Sequence, residues 1–117
     1  MPKSSSAPIR LAVWELDYKT RKLKADGKTA KAKWASCVDV HNMQGALQVG
    51  SQYYISTSSG DAYGWVPGQD PHRNAKFFPK GSEDLSYDPR GNKLYSLTET
   101  TGERYIVTSD LDDIKVV

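Results

Sequence analysis

Apolar residues recur along this chain in short runs broken by Gly, Ser, Asn and Asp, and no window sustains the spacing of an amphipathic helix. The pattern predicts strands throughout. "IRLAVWEL", Ile9 to Leu16, is the first, with continuous apolar character. Gln44 to Val49, Gln52 to Ser58 and Ala62 to Val66 follow as three short strands separated by Gly-Ser and Ser-Ser-Gly turns. Pro67 to Gly81 reads as a loop holding one short strand at "AKFFP". Leu85 to Tyr87, Lys93 to Thr98, Arg104 to Thr108 and Asp113 to Val117 complete the set. Residues 1–8 are expected to be a disordered lead-in, and 9–117 a single all-β domain.

Two of these strands carry large apolar groups on both faces. Around Tyr53-Tyr54-Ile55 and Leu94-Tyr95-Ser96-Leu97, a sheet with one wet face would alternate cleanly, so both strands call for cover on two sides. They also align with one another. Tyr54-Ile55-Ser56-Thr57 set over Tyr95-Ser96-Leu97-Thr98 gives an internal repeat of about 41 residues, and nearly the same frame pairs Gly60 with Gly102 and Trp65 with Tyr105. Arg10 to Val13 over Arg104 to Val107 makes a third partial copy. That spacing is the length of one propeller blade, roughly 40 to 50 residues. The expected architecture is antiparallel propeller-like blades, two to three of them, with a small β-sandwich or barrel as the alternative. Closed propellers need at least about four blades, so identical chains or another polypeptide would supply the rest.

Composition adds little to this. The chain has 117 residues, 38% hydrophobic and 26% charged, with a formal charge of +2, too small to announce a polyanion partner. The charge is uneven, however. "KTRKLKADGKTAKAK", Lys19 to Lys33, holds seven basic residues opposed by Asp26 alone, and Trp14, Tyr18 and Trp34 flank it. Aromatics beside cations suit single-stranded nucleic acid. The favoured reading is a solvated hairpin turning at Asp26-Gly27, with nucleic-acid binding third among the functions considered. One cysteine, Cys37, rules out an internal disulfide, no stretch is long and apolar enough to span a bilayer as a helix, and the N-terminus lacks a secretion signal's apolar run.

"EDLSYDPRGNKLYSLTE" resembles the blade opening of bacterial β-propellers of the phytase-like and gluconolactonase-like kind. Together with "NMQGALQVGSQYYIS", "GWVPG" and "GERYIV" it is more specifically similar to the C-terminal part of secreted, propeller-like proteins of actinobacteria. The resemblance implies blades, and secretion of the native protein. In the calcium-binding members it implies an acidic residue at the start of each innermost strand, facing the channel and ligating the ion. Glu83 or Asp84 match in one repeat, where Ca²⁺ would be held, and Gln44 stands where the other would have an acid. A turn role for Glu83 and Asp84, accepting backbone hydrogen bonds, is the competing expectation.

The expected function is therefore a noncatalytic binding or interaction module, completed as a homo-oligomer, with a polar central mouth for a carbohydrate or peptide. Its expected ligand-binding residues are His41, Asn42, Gln44, Tyr63, Trp65, Glu83 and Tyr87, the aromatics stacking on a sugar unless blade-core packing claims them. The alternative is a calcium-dependent hydrolase with Glu83 on the ion and His41 as acid or base. Cys37, Asp39 and His41 alternate so as to share a strand face, but nothing marks an oxyanion site, and a small lone thiol is expected to be packing.

Overall fold

The computed structural model describes residues 9–99, 102 and 104–114. The expected lead-in over residues 1–8 and most of the Asp113–Val117 strand lie outside them. Among the described residues the protein is all-β and antiparallel throughout. Its strands are β1 (Ile9–Val13), β2 (Leu16–Asp17), β3 (Lys22–Leu23), β4 (Ala25–Asp26), β5 (Thr29–Ala30), β6 (Trp34–Val38), β7 (Met43–Val49), β8 (Gln52–Thr57), β9 (Ala62–Trp65), β10 (His72–Asn74), β11 (Ser82–Asp88), β12 (Lys93–Thr98) and β13 (Ile106–Asp110).

These strands form three main sheets. β7 to β10 make a four-stranded meander, β11 to β13 a three-stranded one, and β1 pairs with β6. The two small hairpins β2/β3 and β4/β5 are inserted between β1 and β6. The four-stranded sheet lies between the other two, because β8 presents apolar groups to both sides. Tyr53 and Ile55 pack with Trp65, Val38 and Val40, against Leu11, Val13 and Trp34 of the β1/β6 pair. Tyr54 and Ala62 pack on the opposite side with Leu85, Leu94 and the C-terminal Leu111 and Ile114. Tyr54, Ile55 and Leu94 are at most 1% exposed. Burial on this scale contributes about 1.5–3 kcal/mol per large apolar side chain, which makes the double-sided cover of β8 the main source of cohesion.

An aromatic trio fastens the first layer to the second. The rings of Trp34, Tyr53 and Trp65 lie 5.5 to 6.1 Å apart between centroids, and Trp34 meets Tyr53 edge to face at 86°. Such pairs add about 0.5–1.5 kcal/mol beyond burial. Trp34, expected to flank a basic surface, is thus a core contact. β6 itself went unforeseen, since its outward positions are small.

The segment between β9 and β11 departs from expectation. "AKFFP" forms no strand; the extended stretch is His72–Asn74, which pairs with β9. Phe78 is buried in the second cluster, and its N–H donates to the Gly60 carbonyl at 2.9 Å. Gly60 has φ +95°, and a Cβ there would stand 2.2 Å from the Phe78 carbonyl oxygen. Only glycine fits. Asp61 ties down the same loop. One carboxylate oxygen accepts the Lys76 backbone N–H at 2.9 Å, and the other accepts from the Arg73 guanidinium, with Nε at 2.9 Å and a terminal nitrogen at 2.8 Å. At the C-terminus, Leu111–Asp113 form a 3-10 turn in place of the expected start of a strand, and Ile114 is buried. The Leu111 N–H donates to the Asn92 carbonyl, so this turn packs back on the β11–β13 layer.

The Lys76 N–H, followed by the Arg73 side chain, holds the Asp61 carboxyl below the usual carboxylate range. A depressed folded-state pKa stabilises the fold above the unfolded value and loses that contribution as pH falls through the folded one. The melting temperature of Asp61→Asn should therefore trail that of the parent at pH 7, and the gap should shrink below about pH 4. A gap independent of pH would mean that Asp61 acts through packing rather than charge.

Candidate functional site

The starts of β7 and β11, where several of the expected site residues lie, run against one another. Each strand carries a bulge near its beginning, between Met43 and Gly45 in β7 and between Glu83 and Ser86 in β11. Just before one bulge and within the other, Asn42 and Asp84 adopt left-handed backbone at φ +58° each. Asn and Asp tolerate that region better than other residues with side chains, which is the local reason the kinks fall there. The strands then touch. A Cβ on Gly45 would lie 2.5 Å from the Asp84 carbonyl carbon and 2.7 Å from the Leu85 nitrogen, so bare backbone is required for the approach.

Hydroxyls from both sheets hold the kink. Ser96 donates to the Glu83 and Asp84 carbonyls, each at 3.0 Å, and Ser56 donates to the Asp84 carbonyl from the neighbouring sheet at 3.3 Å. Bonds of this kind contribute about 1 kcal/mol net, but leaving a buried carbonyl unpaired costs more. The next turn bridges the two strand starts, with Ser58 N–H donating to the Asn42 carbonyl at 3.1 Å and Gly81 N–H to the Ser58 carbonyl at 2.8 Å. Ser56 and Ser96 were missed by sequence reasoning. Their signal is a hydroxyl beside large apolar residues, in Tyr53-Tyr54-Ile55-Ser56 and in Leu94-Tyr95-Ser96-Leu97.

Around this kink the side chains are polar. Gln44 is exposed and His41 half-buried, with His41 Nε2 3.3 Å from an Asp39 carboxylate oxygen. Glu83 is half-buried; loss of water, and then the Glu99 carboxylate beside it, push its carboxyl above the usual range. Asp84 uses a carboxylate oxygen to accept the Leu85 N–H at 2.7 Å, the turn role expected as the competing reading. Among the described residues no three His, Cys, Asp or Glu side chains are grouped to hold a metal ion.

The aromatics are elsewhere. Trp65 is 3% exposed in the first cluster and its indole N–H donates to the Gln69 carbonyl at 2.8 Å. That corrects its assignment as a stacking platform, because a ring enclosed by Trp34 and Tyr53 has no face left for a sugar. Tyr63 packs half-buried against the same cluster, directly opposite Ile55. Tyr87 packs on the second cluster, with its hydroxyl donating to the Asn92 side-chain oxygen at 2.9 Å. The three rings do not converge, and packing on the two hydrophobic clusters accounts for them. Cys37 and Asp39 are exposed while the intervening Val38 and the following Val40 are buried.

No family model, curated protein or solved structure matches this chain. The likeness to propeller blades consequently rests on the residues quoted for it.

Gly45→Ala tests the strand junction. The Asp84–Leu85 backbone stands where the new methyl would go, so the variant should lose about 1–3 kcal/mol in denaturant unfolding. An unchanged midpoint would show that β7 and β11 do not come this close.

Proposed function

We propose that the protein is a noncatalytic interaction module of propeller-like blades that associates head to tail with further copies of itself. The observation that carries this reading is the outer face of β11–β13. Tyr95 and Thr108, and Leu97 and Ile106, are cross-strand pairs and so share a face. Leu97 is 39% and Ile106 77% exposed. The matching face of the β7–β10 sheet carries Leu47, Val49, Tyr54 and Ala62, and there the next sheet covers it. The repeat thus presents one covered copy and one uncovered copy of the same kind of surface.

The opposite end of the stack has the complementary shape and charge. With Leu11, Val13, Trp34 and Val38 turned inward, the outward positions of the β1/β6 pair are Arg10 opposite Cys37 and Ala12 opposite Ala35. Small side chains there receive large ones, and Arg10 meets the Glu83 and Glu99 carboxylates beside Leu97. An interface between two different patches of one chain is heterologous and closes into a ring when the rotation allows. In that ring the starts of β7 and β11, with His41, Asn42 and Gln44, form the polar mouth for a carbohydrate or peptide.

Light scattering coupled to size exclusion checks the association. The parent chain should elute as a discrete oligomer, and Leu97→Glu with Ile106→Glu as a monomer with unchanged far-UV dichroism. Arg10→Glu should weaken assembly about tenfold, equivalent to about 1.4 kcal/mol, and Glu83→Arg should restore it. A monomeric parent at high micromolar concentration would overturn the reading.

A further inference from the structure

The insertion between β1 and β6 is unlike the rest of the molecule. It leaves and returns at one point, since Val13 and Trp34 are register partners and the Lys33 N–H donates to the Val13 carbonyl at 2.7 Å. Between them residues 14–33 form an arm of two small hairpins. Neither hydrophobic cluster includes any residue of this arm. Its apolar groups are nonetheless large and wet: Tyr18 is 86% exposed, Leu23 50%, Trp14 45% and Leu16 41%. A solvated hairpin explains the lysines, but it gives no reason for an indole, a phenol and two leucines in water.

Charge is concentrated in the same place. Residues 14–33 hold seven basic and three acidic side chains, a formal +4, while the remaining nine basic and eleven acidic side chains give −2. Two of the arm's acids are engaged locally. Glu15 pairs with Lys24 at 2.9 Å and Lys33 at 3.6 Å, and Asp17 accepts the backbone N–H groups of Lys19 and Thr20 at 2.9 and 3.3 Å. Lys19, Arg21 and Lys22, on and beside the β2/β3 turn, have no carboxylate partner among the described residues. A groove of about 330 Å³ lies along the same arm, with Trp14, Glu15, Leu16, Tyr18, Lys24 and Lys33 on its walls.

We infer that this arm binds single-stranded nucleic acid, with Tyr18 and Trp14 stacking on bases and Lys19, Arg21 and Lys22 contacting phosphates. Stacking is tolerant of sequence because every base offers a π face, and the cations follow the backbone. The exposed rings are what distinguish this ligand from a generic polyanion, which needs charge alone. The site does not depend on self-association, because every residue it uses lies in the arm of one chain.

Anisotropy of a labelled twelve-nucleotide oligo-dT, titrated with the 117-residue chain across a salt series, tests the inference. Micromolar binding at low salt is expected, with the logarithm of affinity falling against the logarithm of salt at a slope of about −2, the value for three phosphate contacts on a single strand. Lys19→Gln, Arg21→Gln and Lys22→Gln together should remove most of that slope. Tyr18→Ala should weaken binding at least fivefold without changing the slope, and Tyr18→Phe should restore it. All these positions lie outside both clusters, so melting temperatures should stay at the parent value. No binding at low salt would overturn the inference. So would retention on heparin with oligo-dT affinity indifferent to Tyr18→Ala, the mark of a charged surface that does not recognise bases.

Discussion

Strand β8 has no wet face, and the rest of the architecture follows from that constraint. Tyr53 and Ile55 turn to one side and Tyr54 to the other, all at 7% exposure or less. A strand so composed is unstable at the surface, so the chain before it must fold back on one side and the chain after it on the other. The β1/β6 pair and the β11–β13 sheet are those covers. Each brings its own anchor, the Trp34 ring in one case and Leu85 with Leu94 in the other.

The polar strand starts are a consequence of the same stacking. For β7 and β11 to lie side by side their backbones must approach to contact distance, which Gly45 permits. The kink at Asp84 then leaves carbonyls that Ser56 and Ser96 must satisfy. A junction made of backbone and hydroxyls leaves its longer polar side chains, Gln44 and Glu83, on the outside of the contact. The chemistry concentrated there is thus a product of how two sheets meet, and the basic arm, which takes no part in either core, is free of that constraint.

Some of this was legible in the residues. Lys93–Thr98 is the strand its pattern indicates, and β7, β8 and β9 differ from expectation by a residue at one end. The two-sided apolar character of Tyr53-Tyr54-Ile55 correctly implied cover on both faces. Around Asp26-Gly27 the hairpin forms with Gly27 and Lys28 in the loop, but it stops at Ala30 and does not run on to Trp34. Trp65 and Trp34 were harder to read, because an aromatic ring bound for a core and one bound for a ligand look alike in a linear pattern. Arg10–Val13, matched in the sequence to Arg104–Val107, pairs with β6, a partner separated from it by the whole basic arm.

Local preference by itself determined that this chain forms short antiparallel strands, where most of them turn, and that β8 needs burial on both sides, since period-two patterning and turn chemistry act between near neighbours; β12, read the same way, keeps its Leu97 face exposed. Tertiary structure decided which sheet covers which face, that Trp34 and Trp65 belong to a core while Trp14 and Tyr18 do not, and that Gly45 and Asp84 meet. Those outcomes depend on contacts between residues far apart in the chain, and the energy of such a contact exists only once both partners are in place.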